Sequence, residues 1–263
     1  MEKALYTTSL KNFPKDAGTY RRVYFGAEFC QWRVPTPASV VKAYTRARDA
    51  GLGFTLMTPW VTGKGLAGLV RIFSALAEAS DGYGVEVVVN DFGVLSVLSV
   101  RYTNFEPVIG RLLARQKRCP RIPGIMGSLP DAGRDVYLHA GIEDKVTAKY
   151  LRGFGIKRAE LDSPLQGVGV DLKAAKLRGS IYTPYAYVTV TRHCPASFDG
   201  NTWQAFTGCK LKGCLDNVIT LENPAHENPL VMRGNAQFVH NPEMPRGLSG
   251  MGIDRVVVME DVP

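Results

Sequence analysis

Apolar runs of strand length alternate with stretches of helical periodicity through the first half of the chain, and no other feature restricts the fold as strongly. Residues 22–29 (RVYFGAEF) read as a short buried strand. Thr36 then caps a helix that has Pro37 in its first turn and Val40, Val41, Tyr44 and Ala47 on its apolar face, and Gly51 stops it. Residues 53–60 make a second predicted strand. A helix carrying Leu66, Leu69, Val70, Phe73 and Leu76 follows, and residues 85–89 make a third strand that ends in Asn90 and Asp91. This order implies parallel strands joined by crossover helices. A helix over 105–117, a short strand at 136–139, a helix near 144–152 and a strand at 158–161 extend the series.

The second half differs in texture. Strand-like pieces at 181–191, 217–221, 230–239 and 254–259 are separated mainly by loops, with one short helix expected over 245–251. Eight clean strand–helix units cannot be counted. The expected fold is therefore an α/β, TIM-like (β/α) barrel that is incomplete or decorated, with a strand-rich C-terminal part; an open doubly wound sheet is the alternative. At 263 residues, with no low-complexity linker and no short-period repeat, the chain is expected to form a single domain over 1–263. No apolar run approaches the roughly 20 residues needed to span a bilayer, and the N-terminus lacks the apolar core of a signal peptide, so a cytoplasmic protein is expected.

The five cysteines are distributed in a telling way. Cys194, Cys209 and Cys214 lie close in sequence, with fourteen residues and then four between them, while Cys30 ends the run VYFGAEFC far upstream. An odd number of cysteines in a chain this large favours reduced thiols over a disulfide framework. Four thiolates converging from separate segments suit either a zinc ion or a [4Fe–4S] cluster. Compact zinc ribbons draw their ligands from paired knuckles, whereas Cys30 is 164 positions from Cys194, which favours the cluster. Cys119 stands apart, on a basic stretch.

In both architectures active sites form beyond the carboxyl ends of the strands. Glu28 and Cys30 share a strand parity there, as do Val190, Arg192 and Cys194. Four cysteines bound to four irons leave no open iron, so catalysis needs other groups: Glu28, Asp91 and Glu160 as acid/base residues, and Arg33 and Arg192 as binders of a carboxylate. A barrel salt bridge is the plain alternative for each. Parity turns His193 away from the site. The net charge of +8 favours anionic partners, a small carboxylate or nucleic acid. The densest basic stretch, GRLLARQKRCPR with Arg111, Arg115, Lys117, Arg118 and Arg121, reads as the solvated face of a helix. No aromatic interleaving supports RNA there.

At these residues the chain resembles a known family. VYFGAEFC, NDFGVL, ELDSPLQG, TRHCP and the two later cysteines, with RGNAQFVHN and GIDRVVV in the tail, are similar to the collagenase-like peptidase family, often numbered U-thirty-two. The four-cysteine arrangement most resembles its UbiU/UbiV-type iron–sulfur proteins and its RNA-hydroxylating members. The resemblance implies a barrel holding a [4Fe–4S] cluster on Cys30, Cys194, Cys209 and Cys214. It also implies oxygen-independent hydroxylation of a small aromatic or RNA substrate with prephenate as oxygen donor, by the chain alone or with a paralogous subunit as a heterodimer. The Cys30-x-x-Arg33 spacing matches this pattern. Two features depart from it: 33 residues separate Glu160 from Cys194, and Val168 stands where many members place a cysteine after the glutamate–glycine motif.

The peptidase name finds no machinery in the residues. His139, His193, His226 and His240 form no pair of zinc-protease spacing, no glycine-flanked serine elbow is present, and VTGKGLAGL lacks the full phosphate-loop spacing. A non-catalytic cysteine-metal scaffold is the competing reading.

Overall fold

Period-two alternation decides which way each strand faces. In Val85–Val89 (β4), Val85, Val87 and Val89 pack outward in the large core against the helices, while Glu86 and Val88 point inward. In Arg158–Asp162 (β6), Ala159 and Leu161 pack outward, which leaves Arg158, Glu160 and Asp162 as three charged residues at successive inward positions. Both faces are buried, as a parallel barrel requires.

The computed structural model describes residues 1–14, 16–81, 84–198, 200–201, 208–209, 214, 217–224 and 227–263. The other barrel strands are Glu2–Thr7 (β1), Arg22–Gly26 (β2), Gly53–Met57 (β3), Glu106–Ile109 (β5), Arg178–Thr183 (β7) and Ile253–Met259 (β12). All eight pair in parallel in the closed order β1-β12-β7-β6-β5-β4-β3-β2. The helices are Pro37–Asp49 (α1), Gly63–Ser80 (α2), Phe92–Arg101 (α3), Ile122–Met126 (α4), Asp131–Leu138 (α5) and Lys145–Gly153 (α6). Between β7 and β12 the chain inserts Tyr185–Val190 (β8), Ile219–Leu221 (β9), Leu230–Arg233 (β10) and Ala236–His240 (β11). These form an antiparallel sheet in the order β8-β11-β10-β9.

The fold is thus the expected TIM-like barrel, closed rather than incomplete, and its decoration is the small sheet. The eight units escape counting because β1 is a short N-terminal strand, and because among the described residues no α-helix lies between β6 and β7 or between β7 and β12. Thr36 caps α1 as expected, its Oγ1 accepting from the Ser39 N–H at 3.2 Å, and Gly51 follows the helix at φ +68°.

Three local expectations are corrected. Residues 105–117 are not a helix: Pro107 disfavours a helix interior, Val108 and Ile109 are both buried in β5, and the basic residues beyond turn back over the barrel mouth. Residues 136–139 fall largely in α5, not in a strand. Residues 245–251 form turns, with Gly247 at φ +74° breaking any helix. Among the described residues no helix is long and apolar enough to cross a membrane.

Candidate active site at the carboxyl end of the barrel

The four cysteines expected to act together border a common cavity. Cys30 follows β2, Cys194 follows β8, and Cys209 and Cys214 lie between β8 and β9; all four line one cavity of about 440 Å³, with Arg33 and Asn235 also in its wall. Most of the chain around Cys209 and Cys214 lies outside the described residues. The turn between β10 and β11 clamps the loops that carry the first two thiols. Asn235 Nδ2 donates to Phe29 O at 2.8 Å and to Thr191 O at 3.0 Å, and the Thr191 N–H donates to Asn235 O at 3.0 Å. Gly234, at φ +61°, brings bare backbone against the sulfurs: a Cβ there would lie 3.0 Å from Cys214 Cβ, 3.5 Å from its Sγ and 4.0 Å from Cys194 Sγ. Only glycine fits that conformation and that space without strain. Cys194 and Cys214 are buried, Cys30 and Cys209 half-buried. Burial pushes the Cys30 thiol up to about 11, with the neighbouring Cys194 adding to the rise.

Among the described residues no group of three or more His, Cys, Asp or Glu side chains is arranged to hold a metal ion. A lone zinc draws its thiolates to about 2.3 Å from one point. Cysteine thiolates serve zinc and iron–sulfur clusters alike, and the cavity that these four border has a volume of about 440 Å³.

Beside this cavity the barrel mouth holds a dry ionic cluster. Arg111, just past β5, donates from Nε to both oxygens of Glu28 at 3.0 and 3.2 Å and from Nη2 to Glu28 Oε2 at 2.5 Å. Its Nη1 donates to Asp162 Oδ1 at 2.8 Å. Arg118 Nε donates to Asp162 Oδ2 at 2.8 Å, and the Tyr187 N–H donates to Asp162 Oδ1 at 2.9 Å. The side chains of Arg111, Glu28 and Asp162 are wholly shielded from solvent. The Arg111 guanidinium also lies 3.9 Å from the centre of the Tyr182 ring. Phe29 packs against Tyr187 and Phe238 with ring centres 5.1 and 5.2 Å apart, and Arg111 and Arg118 lie 5.3 and 4.9 Å from the Phe29 and Tyr187 rings. Burial pushes Glu28 up, against the pull of Arg111. Arg111 stays charged because the carboxylates of Glu28 and Asp162 outweigh its own burial.

The remaining predicted residues separate. Arg33 lines the cysteine cavity. Arg192 lines a small adjoining pocket with Cys30 and Cys194 and stacks over Trp60 at 4.5 Å. Asp91 is a helix cap: Oδ1 accepts from the N–H groups of Gly93 and Val94, and Oδ2 from that of Val61. Glu160 lies inside the barrel, with Oε1 accepting from the hydroxyls of Tyr24 and Ser180 at 3.1 Å each and Oε2 left without a partner. Burial raises it to about 7. Neither of these two reaches the cavity.

The reading of the basic stretch as a solvated helix face is also corrected: Arg111 and Arg118 turn inward to the ionic cluster. Together with Asp162 they are the residues that sequence reasoning missed. A signal existed, because Arg111 directly follows a strand once 106–109 is read as one, and Asp162 is the third residue of ELDSPLQG's opening ELD. Compared with protein-family models and with curated proteins, the chain finds no match in either.

Proposed function

We propose that the chain is an iron–sulfur protein whose [4Fe–4S] cluster is held by Cys30, Cys194, Cys209 and Cys214 at the carboxyl end of the barrel. The observation that carries this reading is that four cysteines, one of them far upstream of the other three, line one cavity, with Gly234 letting backbone approach two of the sulfurs. Bound there, the cluster would supply electron transfer. The resemblance to the UbiU/UbiV-type members of the collagenase-like peptidase family extends the proposal to oxygen-independent hydroxylation. On that reading prephenate is the oxygen donor and the substrate is a small aromatic or an RNA, with a paralogous subunit where the chain does not act alone.

The chain's own residues have definable tasks in this scheme. Arg33, in the cavity wall, offers a planar fork of donors to the carboxylate of an anionic substrate. Glu28 can hold a proton, with Arg111 and Asp162 fixing its position. Its side chain is wholly shielded from solvent, so it meets substrate only if the residues around it move. Peptide hydrolysis gains no support, since the sequence has no histidine pair of zinc-protease spacing and no glycine-flanked serine elbow.

The sealing of Glu28 and the capping role of Asp91 favour a second reading, in which cysteine-bound metal, cluster or zinc, staples the loops of a non-catalytic scaffold. Purification without oxygen of the wild type and of Cys30→Ser, Cys194→Ser, Cys209→Ser and Cys214→Ser, each with its visible absorption, tests the site. Loss of the broad iron–sulfur absorption in all four variants supports the shared ligand set. Retention in Cys30→Ser would dismiss it. A metal-loaded wild type that hydroxylates no substrate, with Glu28→Gln changing stability alone, would favour the scaffold.

A further inference from the structure

At the opposite end of the barrel, where the strands begin, a second cavity of about 610 Å³ opens between the start of β5 and the turn from α6 to β6. Its size lies within the usual range of small-molecule sites, about 300–1,000 Å³. Its floor is the first inward layer of the barrel, where Arg22, Glu86, Arg158 and Arg255 stand together. Cationic side chains outnumber carboxylates in the wall by five to four.

Donor accounting shows which guanidiniums are left over. Arg255 is fully engaged: Nε with Glu2 at 2.5 Å, Nη1 with Tyr24 and Glu86 at 2.7 and 2.6 Å, and Nη2 with Glu86 at 3.0 Å. Arg22 donates from Nε to Glu2 at 3.0 Å and from Nη1 to Phe54 O and Thr55 Oγ1. Arg158 donates only from Nη1, to Gly179 O, Ser180 Oγ and Asp254 Oδ1 at 2.9, 3.1 and 2.7 Å. Its Nε stands 4.0 Å from Glu86, beyond hydrogen-bond reach. Among the described residues, Nη2 of Arg22 and both Nε and Nη2 of Arg158 therefore make no hydrogen bond; none of these atoms is fully buried, so they stay open to solvent on side chains that are 16% and 8% exposed. A guanidinium offers five N–H donors in a fork that matches two oxygens of one anion. Glu86 attracts both guanidiniums without bonding these donors: it lies 4.0 Å from Arg158 Nε and 3.5 Å from Arg22 Nη1.

We infer that this cavity binds a small polyanion, a phosphate or carboxylate group seated on the free edges of Arg158 and Arg22. Lys157 and Arg178, both exposed in the wall, add long-range attraction. The glycines of the adjoining turn leave room for the rest of the ligand: at Gly153 and Gly155 a Cβ would meet nothing within 4 Å. The site shares no residue with the cysteine cavity, so it stands whether or not a cluster is present.

The test titrates the full chain with inorganic phosphate and, separately, with citrate, at an ionic strength held constant with chloride, reading heat and melting temperature. Saturable binding of one anion per chain is expected. Phosphate alone assigns the site to phosphate groups, citrate alone to carboxylates, and both to the shared polyanion chemistry. Thr103→Trp, at an exposed rim position, should block binding. Lys157→Ala/Arg178→Ala should weaken it about fivefold, as expected for losing two exposed charges, and should not change the melting temperature of the free protein. Cys30→Ser should bind as the wild type does. Absence of saturable binding of either anion, or undiminished binding by Thr103→Trp or by the double variant, would overturn the inference.

Discussion

Replacing Arg111 by Met should destabilise the protein through one group in particular. Asp162 keeps Arg118 at 2.8 Å and the Tyr187 N–H at 2.9 Å. Glu28 loses all three of its hydrogen bonds, which come from Arg111 alone, and is left as an unpaired carboxylate shielded from water. Breaking a buried pair in this way costs about 3–5 kcal/mol. At roughly 2–4 °C per kcal/mol for a chain of this size, the melting temperature should fall by roughly 10 °C. The loss should depend on pH. Without Arg111, burial and the neighbouring Asp162 raise the Glu28 pKa further above the unfolded value against the weaker pull of Arg118, so the folded state binds the extra proton. Stability is then retained at low pH and lost as pH rises from the unfolded pKa through the folded one. The deficit should therefore be smaller at pH 5 than at pH 8. Adding Glu28→Leu to Arg111→Met should recover much of the loss, because the stranded charge is gone. Denaturation midpoints for the wild type, both single variants and the double variant measure the coupling. A loss below about 1 kcal/mol for Arg111→Met, or purely additive effects, would refute the assignment of a buried, mutually dependent pair.

Further predictions rest on other parts of the barrel. Glu160, raised to about 7 by burial with Oε2 unpartnered, should make the wild type lose stability as pH rises from the unfolded carboxyl pKa through about 7, by roughly 3 kcal/mol in all. Glu160→Gln should remove that slope, as read from melting temperatures between pH 5 and 8; a slope that persists would assign it to another group. Asn235→Ala should cost about 1–3 kcal/mol through the buried carbonyls of Phe29 and Thr191 that it leaves unpaired. It should also lower metal retention during gel filtration, whereas full retention would mean that the clamp does not hold the cysteine loops. Gly234→Ala must place a Cβ 3.0 Å from Cys214 Cβ at φ +61°, at a strain of about 1–3 kcal/mol. Its metal content should fall more than its melting temperature suggests.

How much was legible follows the periodicity. Where strand and helix each announce themselves, as from β2 to β4, expectation and structure agree to within a few residues. The sequence reading failed where one residue type served two purposes. Val108 and Ile109 followed by Leu112 and Leu113 mimic a helical face, yet Pro107 belongs to a strand and Arg111 to the mouth. A charged residue is read as solvent-facing because burial of charge is costly, so the partners that offset it, Glu28 just after β2 and Asp162 at the end of β6, stay invisible until the barrel closes. That the four cysteines would border one cavity was legible from their spacing and strand parity, whereas Asp91 is singled out by its place at a strand end and Glu160 by the motif ELDSPLQG. The capping geometry of the first and the inward parity of the second appear only with three-dimensional context.

The central claim is that four cysteines at the carboxyl end of the barrel hold an iron–sulfur cluster. Iron and acid-labile sulfide analysis of the full chain, purified without oxygen, tests it most directly. The account predicts near-equal iron and sulfide, about four of each per chain, with visible absorption that bleaches on reduction. One zinc per chain without sulfide, or no metal at all, would contradict it.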